Sequence, residues 1–172
     1  MTAIKPEELK NLQQNIEENS LIDYAKLSDS SLKNINEFQK LFPKLKREVI
    51  IRKLKNTLAE KNMRFIAKKN NIIIGQLKIV FLQNHQEHVA QLKGLFVLPD
   101  ERKQGIGLGL VEYTISRLPK KIKLIIISID NKNKGTIKLY KKLGFEKYGL
   151  LENASKIDGF LVDNYLMKKE IN

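Results

Sequence analysis

The chain has 172 residues, 42% hydrophobic and 30% charged, which fits a single domain over residues 1–172 with one buried core. It has no cysteine, which removes disulfides, thiolate nucleophiles, zinc fingers and iron–sulfur clusters together, and its two histidines, His85 and His88, cannot build a multi-histidine metal site, so no metal is expected. The net charge of +13 sits in two blocks, 40–69 with 11 basic against 2 acidic residues and 117–147 with 10 against 2, and such blocks suit a polyanionic or phosphorylated partner as well as a solvated surface.

The N-terminal stretch MTAIKPEELKNLQQ lacks the apolar segment of a secretory signal, and no apolar run approaches the ~18 residues of a membrane span. The expectation is a cytoplasmic protein without a membrane partner. The first sixty residues read as helices. Pro6-Glu7-Glu8 has the form of a helix start, Ser28–Ser31 can cap a helix that Pro43 stops near Phe42, and Val49, Ile50, Leu54 and Leu58 recur at helical spacing within 45–60. The pattern then changes. Met63–Lys68 and Ile72–Leu82 form a hairpin about Lys69-Asn70-Asn71, where Asn tolerates positive φ. His88–Val97 is a third strand, ended by Pro99, and a helix opens at Gly105–Gly109 and runs to about Leu118. Ile122–Ile129 is a β-branched run that reads as a strand buried on both faces. Asn133–Leu143 is a helix stopped by Gly144. Phe145–Ile157 and Phe160–Lys169 flank Asp158-Gly159, a two-residue hairpin signal. The sum is an α/β chain with a mixed sheet.

The chemistry concentrates in Val97-Leu98-Pro99-Asp100-Glu101-Arg102-Lys103-Gln104-Gly105-Ile106-Gly107-Leu108-Gly109. A strand ends, a turn follows, and glycines open a helix. Glycine lets backbone N–H groups approach an anion closely, and the helix N-terminus adds unpaired donors and partial positive charge. A P-loop would need Lys-Ser/Thr at its end, which is missing. A dinucleotide fingerprint would need a glycine where Leu110 stands and an acid farther beyond the next strand than Asp130. Tight packing of helix against strand also accounts for such glycines.

Arg102-x-x-Gly105-x-Gly107 resembles the acyl-CoA pyrophosphate loop of the GCN5-related N-acetyltransferases, the GNAT superfamily. Asn133-Lys134-Gly135-Thr136-Ile137-Lys138-Leu139-Tyr140-Lys141-Lys142-Leu143-Gly144-Phe145 resembles that superfamily's N-x-x-[AG]-x-x-x-Y-x-x-x-G-F segment. The two lie in order with one strand between them, and the resemblance covers about Met63 to Lys169. Lys103 departs from it, since relatives often have glycine there, and no clear strand opens the chain beyond Thr2–Lys5.

The resemblance implies a mixed, mostly antiparallel central sheet with splayed middle strands and helices on both faces. It implies an N-acetyltransferase that takes acetyl-CoA as co-substrate and a primary amine as acceptor, either a small molecule or a peptide N-terminus. Backbone groups of Leu95, Phe96 and Val97 would pair with pantetheine amides, and Arg102 and the main chain of Lys103, Gln104, Gly105, Ile106, Gly107 and Leu108 would hold the pyrophosphate. Asn133 would bind the pantetheine arm, besides serving as an ordinary helix cap. Tyr140 would lie at the sulfur as general acid. Taken alone, without the resemblance, Tyr140 reads first as a helix aromatic packed on the sheet. Many relatives have Glu at the position of Gln91, which cannot take a proton usefully. Glu87, His88 and Asp130 are nearby ionisable groups, and the base stays unassigned. Two other classes compete: a silent acyl-CoA-binding domain, and a nucleic-acid or ribosome-associated module. The second is disfavoured by 7 Phe, 5 Tyr and no Trp without an RNA-recognition strand motif. A homodimer is one assembly open to the chain.

Overall fold

The computed structural model describes residues 22–28, 33, 35–59 and 62–171. In chain order its elements are β1 (Ile22–Lys26), α1 (Ile35–Leu41), α2 (Arg47–Ala59), β2 (Met63–Lys69), β3 (Ile72–Phe81), β4 (Val89–Val97), α3 (Ile106–Ser116), β5 (Leu124–Asp130), α4 (Lys134–Lys142), β6 (Glu146–Ile157) and β7 (Phe160–Glu170). The strands form one seven-stranded sheet in the order β1-β2-β3-β4-β5-β7-β6. Every neighbouring pair is antiparallel except β4–β5.

Period-2 alternation sends side chains to two apolar layers. Phe65 and Ala67 of β2 join Leu77, Ile79, Ile125 and Met167 beneath α3 and α4, which contribute Ile106, Leu110, Val111, Ile137 and Tyr140. Ile66 points the other way, with Ile73, onto Ile35, Phe38 and Leu41 of α1 and Ile50 and Leu54 of α2. Helices therefore cover both faces.

The turn chemistry reads as the sequence suggests. Asn70 and Asn71 take φ of 51° and 61° between β2 and β3, and Asp158 and Gly159 take 48° and 90° between β6 and β7, the left-handed pair that a two-residue hairpin needs. Gly144 at φ +79° follows α4.

Two expectations are corrected. Residues 1–60 are not all helical, because Ile22–Lys26 is a strand, paired with β2 from Ile22↔Lys69 to Lys26↔Phe65. Its fit is tertiary. The Tyr24 ring stacks on Tyr113 at 5.8 Å and lies against Gly109, where a Cβ would collide with Tyr24 Oη and stand 2.8 Å from its Cζ. Thr2–Lys5, the Pro6 helix start and Asp29–Ser31 of the expected cap lie outside the described residues, and the helix expected to end at Phe42 ends at Leu41. The second correction concerns β5, which is not buried on both faces. Ile125, Ile127 and Ile129 are buried while Ile126 is half-buried and Ser128 exposed.

Candidate active site

The sheet opens between its two parallel strands. β4 and β5 pair only through Val89↔Leu124, Ala90↔Ile125 and Gln91↔Ile126. β4 then runs on to Val97 and β5 to Asp130 without further pairing with each other. β5 is held instead along its whole length by β7, and the end of β4 by β3. Both strands point the same way, so the result is a wedge with Gln91 at its vertex.

A cleft of about 550 Å³ lies at the open end. Leu95, Phe96 and Val97 of β4, Arg102, Lys103 and Gly105 of the loop, Ile106, Gly107 and Leu108 of α3, and Asn133 all line it. Most of the residues picked from sequence are thus gathered in one place. Gln104 and Tyr140 are not among the lining residues. The Gln104 side chain turns back on its own loop, donating to the Asp100 carbonyl at 3.4 Å and to Glu101 Oε2 at 3.3 Å. Tyr140 is buried, its ring 5.0 Å edge-on from Phe145. Burial pushes its phenol well above the ordinary range near 10.

Backbone geometry explains the loop. A single 3-10 turn, Pro99–Glu101, leaves β4. Arg102 folds back over it, Nε donating to the Val97 carbonyl at 3.0 Å and the guanidinium lying 5.5 Å from the Phe96 ring centre. Lys103 at φ +63° and Gly105 at φ +80° then turn the chain into α3. No side chain caps that helix. Its first backbone bond runs from the Gly109 N–H to the Gly105 carbonyl at 3.0 Å, which leaves the N–H groups of Ile106, Gly107 and Leu108 without an intrahelical acceptor. Gly107 keeps this cradle open, since a Cβ there would come within 3.2 Å of Leu139 Cδ1.

Four lining residues were not picked from sequence: Glu101, Gly135, Thr136 and Leu139. Gly135 lies in the first turn of α4, and beside it Thr136 and Leu139 follow the cap Asn133 at successive i+3 spacing, a signal that was legible. Glu101 was not. An acid beside an anion cradle makes sense only with Lys69, which reaches Glu101 Oε2 at 3.0 Å from the end of β2. Asn133 caps α4, its Oδ1 accepting from the Thr136 N–H at 3.1 Å.

The ionisable groups considered as bases are dispersed. Glu87 and His88 are exposed and precede β4, beyond the vertex and ~10 Å or more from Gln91 at ~3.3 Å per residue. The His88 carbonyl there accepts from Lys123 and Leu124, closing that end of the sheet. Asp130 ends β5, its Oδ1 accepting from the Lys132 N–H at 2.8 Å. No group of three or more His, Cys, Asp or Glu among the described residues could hold a metal. No described helix is long and apolar enough to cross a membrane.

A splayed parallel pair beside a set of free N–H groups is what the resemblance to the GNAT superfamily implies. The model of the Acetyltransferase (GNAT) family matches residues 30–145. The chain belongs to the GNAT acetyltransferase family. An uncharacterized N-acetyltransferase of Methanocaldococcus jannaschii is 38% identical over 63 residues, 36% of this chain and 28% of that one, so the match spans under a third of that relative. A ribosomal-protein-alanine N-acetyltransferase from Brucella melitensis superposes with a TM-score of 0.73 at 20% identity, over 88% of this chain and 99% of that one. A Salmonella typhimurium structure solved with its cofactor acetyl-CoA gives 0.71 at 12% identity, over 88% and 94%. The GNAT fold, with its mixed, mostly antiparallel seven-stranded sheet, is the fold of this chain.

Proposed function

We propose that the protein, acting as one domain over residues 1–172, transfers the acetyl group of acetyl-CoA to a primary amine, with α-amines preferred. The observation that carries this reading is the wedge at Gln91–Ile126 opening onto the N–H groups of Ile106, Gly107 and Leu108. The fit to acetyl-CoA rests on three features. Unpaired donors face a cleft ringed by Arg102 and Lys103, Lys69 neutralises its one acid, and Gly107 leaves room between helices.

When bound, acetyl-CoA supplies an acetyl thioester. The chain's residues bind and orient it. The cradle from Lys103 to Leu108 takes the pyrophosphate, the backbone of Leu95–Val97 takes the amide-bearing arm, and Asn133, its Oδ1 already used in the cap, offers its Nδ2 donors. Transfer makes a C–N bond, breaks the C–S bond, and requires one proton to leave nitrogen and one to reach sulfur. Tyr140 is the proposed donor to sulfur. A phenol of ordinary pKa, about 10, already carries its proton at neutral pH, and burial raises that pKa further.

Among the described residues no strong base stands at the vertex, because Gln91 is an amide and Glu87 and His88 lie beyond it. The acceptor then reacts from its own neutral fraction. At pH 7.4 that fraction is about one in a thousand for an alkyl amine of pKa ~10.4 and roughly a third for an α-amine near ~7.8. The test is release of CoA thiol across a panel of amines, with the pH–rate profile of the best acceptor. An alanine-starting peptide belongs on the panel, since the Brucella neighbour is named for acetylation at a ribosomal-protein alanine. The expected profile rises toward the acceptor's own pKa. A limb below pH about 7.5 that disappears in Glu87→Gln or His88→Gln overturns the reading of the vertex. An absence of thiol release with every amine, beside intact acetyl-CoA binding, would leave a silent acyl-CoA-binding domain.

A further inference from the structure

The β4 wall of the wedge is not straight. The register Gly75↔Val97 and Gln76↔Phe96 becomes Lys78↔Lys93 and Ile79↔Leu92, so β4 carries one residue more than β3 between these points. This is a β-bulge, and Gly94 within it stands at φ +64°. The residues immediately after it are Leu95, Phe96 and Val97, which line the cleft.

A buried polar relay holds the bulge from behind. Gln76 on β3, 2% exposed, donates from Nε2 to the Gly94 carbonyl at 2.7 Å. Its Oε1 accepts from Nη1 of Arg64 on β2, itself 6% exposed. Arg64 Nη2 reaches Thr57 Oγ1 on α2 at 3.4 Å, and that hydroxyl donates to the Lys53 carbonyl at 2.9 Å. The relay thus joins α2, β2 and β3 to the bulge.

Arg64 is an expensive residue in this place. Among the described residues no carboxylate pairs with it, its Nε has no partner, and only the Phe42 ring stands over the guanidinium, at 6.0 Å. Burial lowers its pKa to about 10, so it stays charged at neutral pH. A well-packed apolar side chain would serve stability better. What arginine does that leucine cannot is fix the orientation of an amide. It has donors only, so it accepts nothing from Gln76 but can bond its Oε1. That leaves Nε2, and no acceptor atom, facing the Gly94 carbonyl. With that carbonyl committed to Gln76, the bulge is held in one geometry.

We propose that Arg64 and Gln76 are positioning residues, a buried strut that sets the bulge at Gly94 and thereby aims the backbone of Leu95–Val97 at the amide-bearing arm of the acyl donor. This rests on the acetyl-CoA reading of the cleft, and the experiment separates the two.

The informative variant is Gln76→Glu. Its carboxylate still accepts from Arg64 and neutralises it, so the fold keeps its buried pair, but it has no donor for the Gly94 carbonyl. Acetyl-CoA Kd should weaken about tenfold, the scale of one lost hydrogen bond, with the acceptor KM unchanged. In the ligand-free protein, backbone amide exchange at 95–97 should rise while that of Ile125–Ile129 does not. Arg64→Lys, which keeps one donor for Oε1, should fall between wild type and Gln76→Glu in both readouts. If Gln76→Glu does not fold, Gly94→Ala disturbs the bulge through its left-handed φ of +64°, with a Cβ in no more than ordinary contact with Gln76 Nε2 at 3.6 Å, and should give the same pair of changes. Unchanged exchange at 95–97, or an acetyl-CoA affinity in Gln76→Glu equal to that of a wild type that binds it, overturns the strut. A wild type that binds no acetyl-CoA, with the exchange result intact, overturns the acyl-donor reading and with it the strut's purpose, but not its control of the bulge.

Discussion

Gly105 gives the sharpest test of the cradle. It begins α3 at φ +80°, and a Cβ built there meets no atom within 4 Å. Alanine at this position therefore costs backbone strain alone, ~1–2 kcal/mol. In a domain of this size 1 kcal/mol moves Tm by ~2–4 °C, so Gly105→Ala should melt ~2–8 °C below wild type. Aspartate enters the left-handed region more readily, so Gly105→Asp should fold at least as well. Its carboxylate, however, stands beside the free N–H groups of Ile106, Gly107 and Leu108 and competes with a phosphate for them. At a hundredfold its Kd, acetyl-CoA stabilises wild type by ~2.7 kcal/mol, a shift of ~5–11 °C. A hundredfold loss of affinity reduces this, at the same ligand concentration, to ~0.4 kcal/mol and a shift of about 1–2 °C. Differential scanning fluorimetry of the three proteins with and without acetyl-CoA reads both effects. Gly105→Ala should keep most of the ligand shift and Gly105→Asp should lose it. An aspartate variant with the wild-type shift would refute the cradle.

Tyr140→Phe should lower kcat by ~10²–10⁴ while leaving acetyl-CoA binding nearly unchanged; wild-type turnover counts against the proposed acid. Burial raises the pKa of both Tyr24 and Tyr140, so the unfolded chain ionises them first and stability should fall as pH rises above ~10. In Tyr140→Phe that fall should be shallower in denaturant titrations at high pH. Gly109→Ala forces Tyr24 aside, since its Cβ would collide with Oη and stand 2.8 Å from Cζ; it should cost ~1–3 kcal/mol, and Tyr24→Ala should relieve much of the added cost in a double-mutant cycle. Gln91→Glu places a carboxylate at the vertex and should add an enzyme pKa to the pH–rate profile, with the largest gain for alkyl amines. An unaltered profile in that variant would detach the vertex from proton transfer.

Much of the fold was legible because local chemistry and tertiary demand coincide. Asn70-Asn71 and Asp158-Gly159 tolerate the positive φ that their hairpins need, Pro43 lies just beyond the end of α1, and Gly144 follows α4. β1 was illegible because its strand character comes from β2 and from the groove Gly109 leaves for Tyr24, both distant in sequence. The exposure of β5 was illegible for the same reason. A run of isoleucines looks like a fully covered strand, yet the apolar layer under α1 and α2 is built on β2 and β3 and includes no residue of β5. Hydropathy reports what a strand could bury, while its neighbours decide what it does bury.

The site divides along the same line. Its backbone chemistry was written in glycines, so the helix start could be placed from the sequence, while its reading as a pyrophosphate loop came from the resemblance. Even Lys103, at the position where a glycine is usual, takes the left-handed turn at φ +63°, so the loop's path is dictated by the fold around it rather than by that residue's own preference. The charges behave differently, because a charge acquires its meaning from whatever faces it. Glu101 is harmless to an anion only beside Lys69. Arg64 lies in the basic block 40–69 and looks like part of a solvated surface, yet it is 6% exposed and bonded to Gln76. Spacing along the chain carries no information about these encounters between separate elements, which join positions 32 and 12 residues apart. The excess positive charge therefore has at least two uses here: one cation compensates an acid at the mouth of the cleft, and another is held inside the sheet, where it orients the amide behind the bulge.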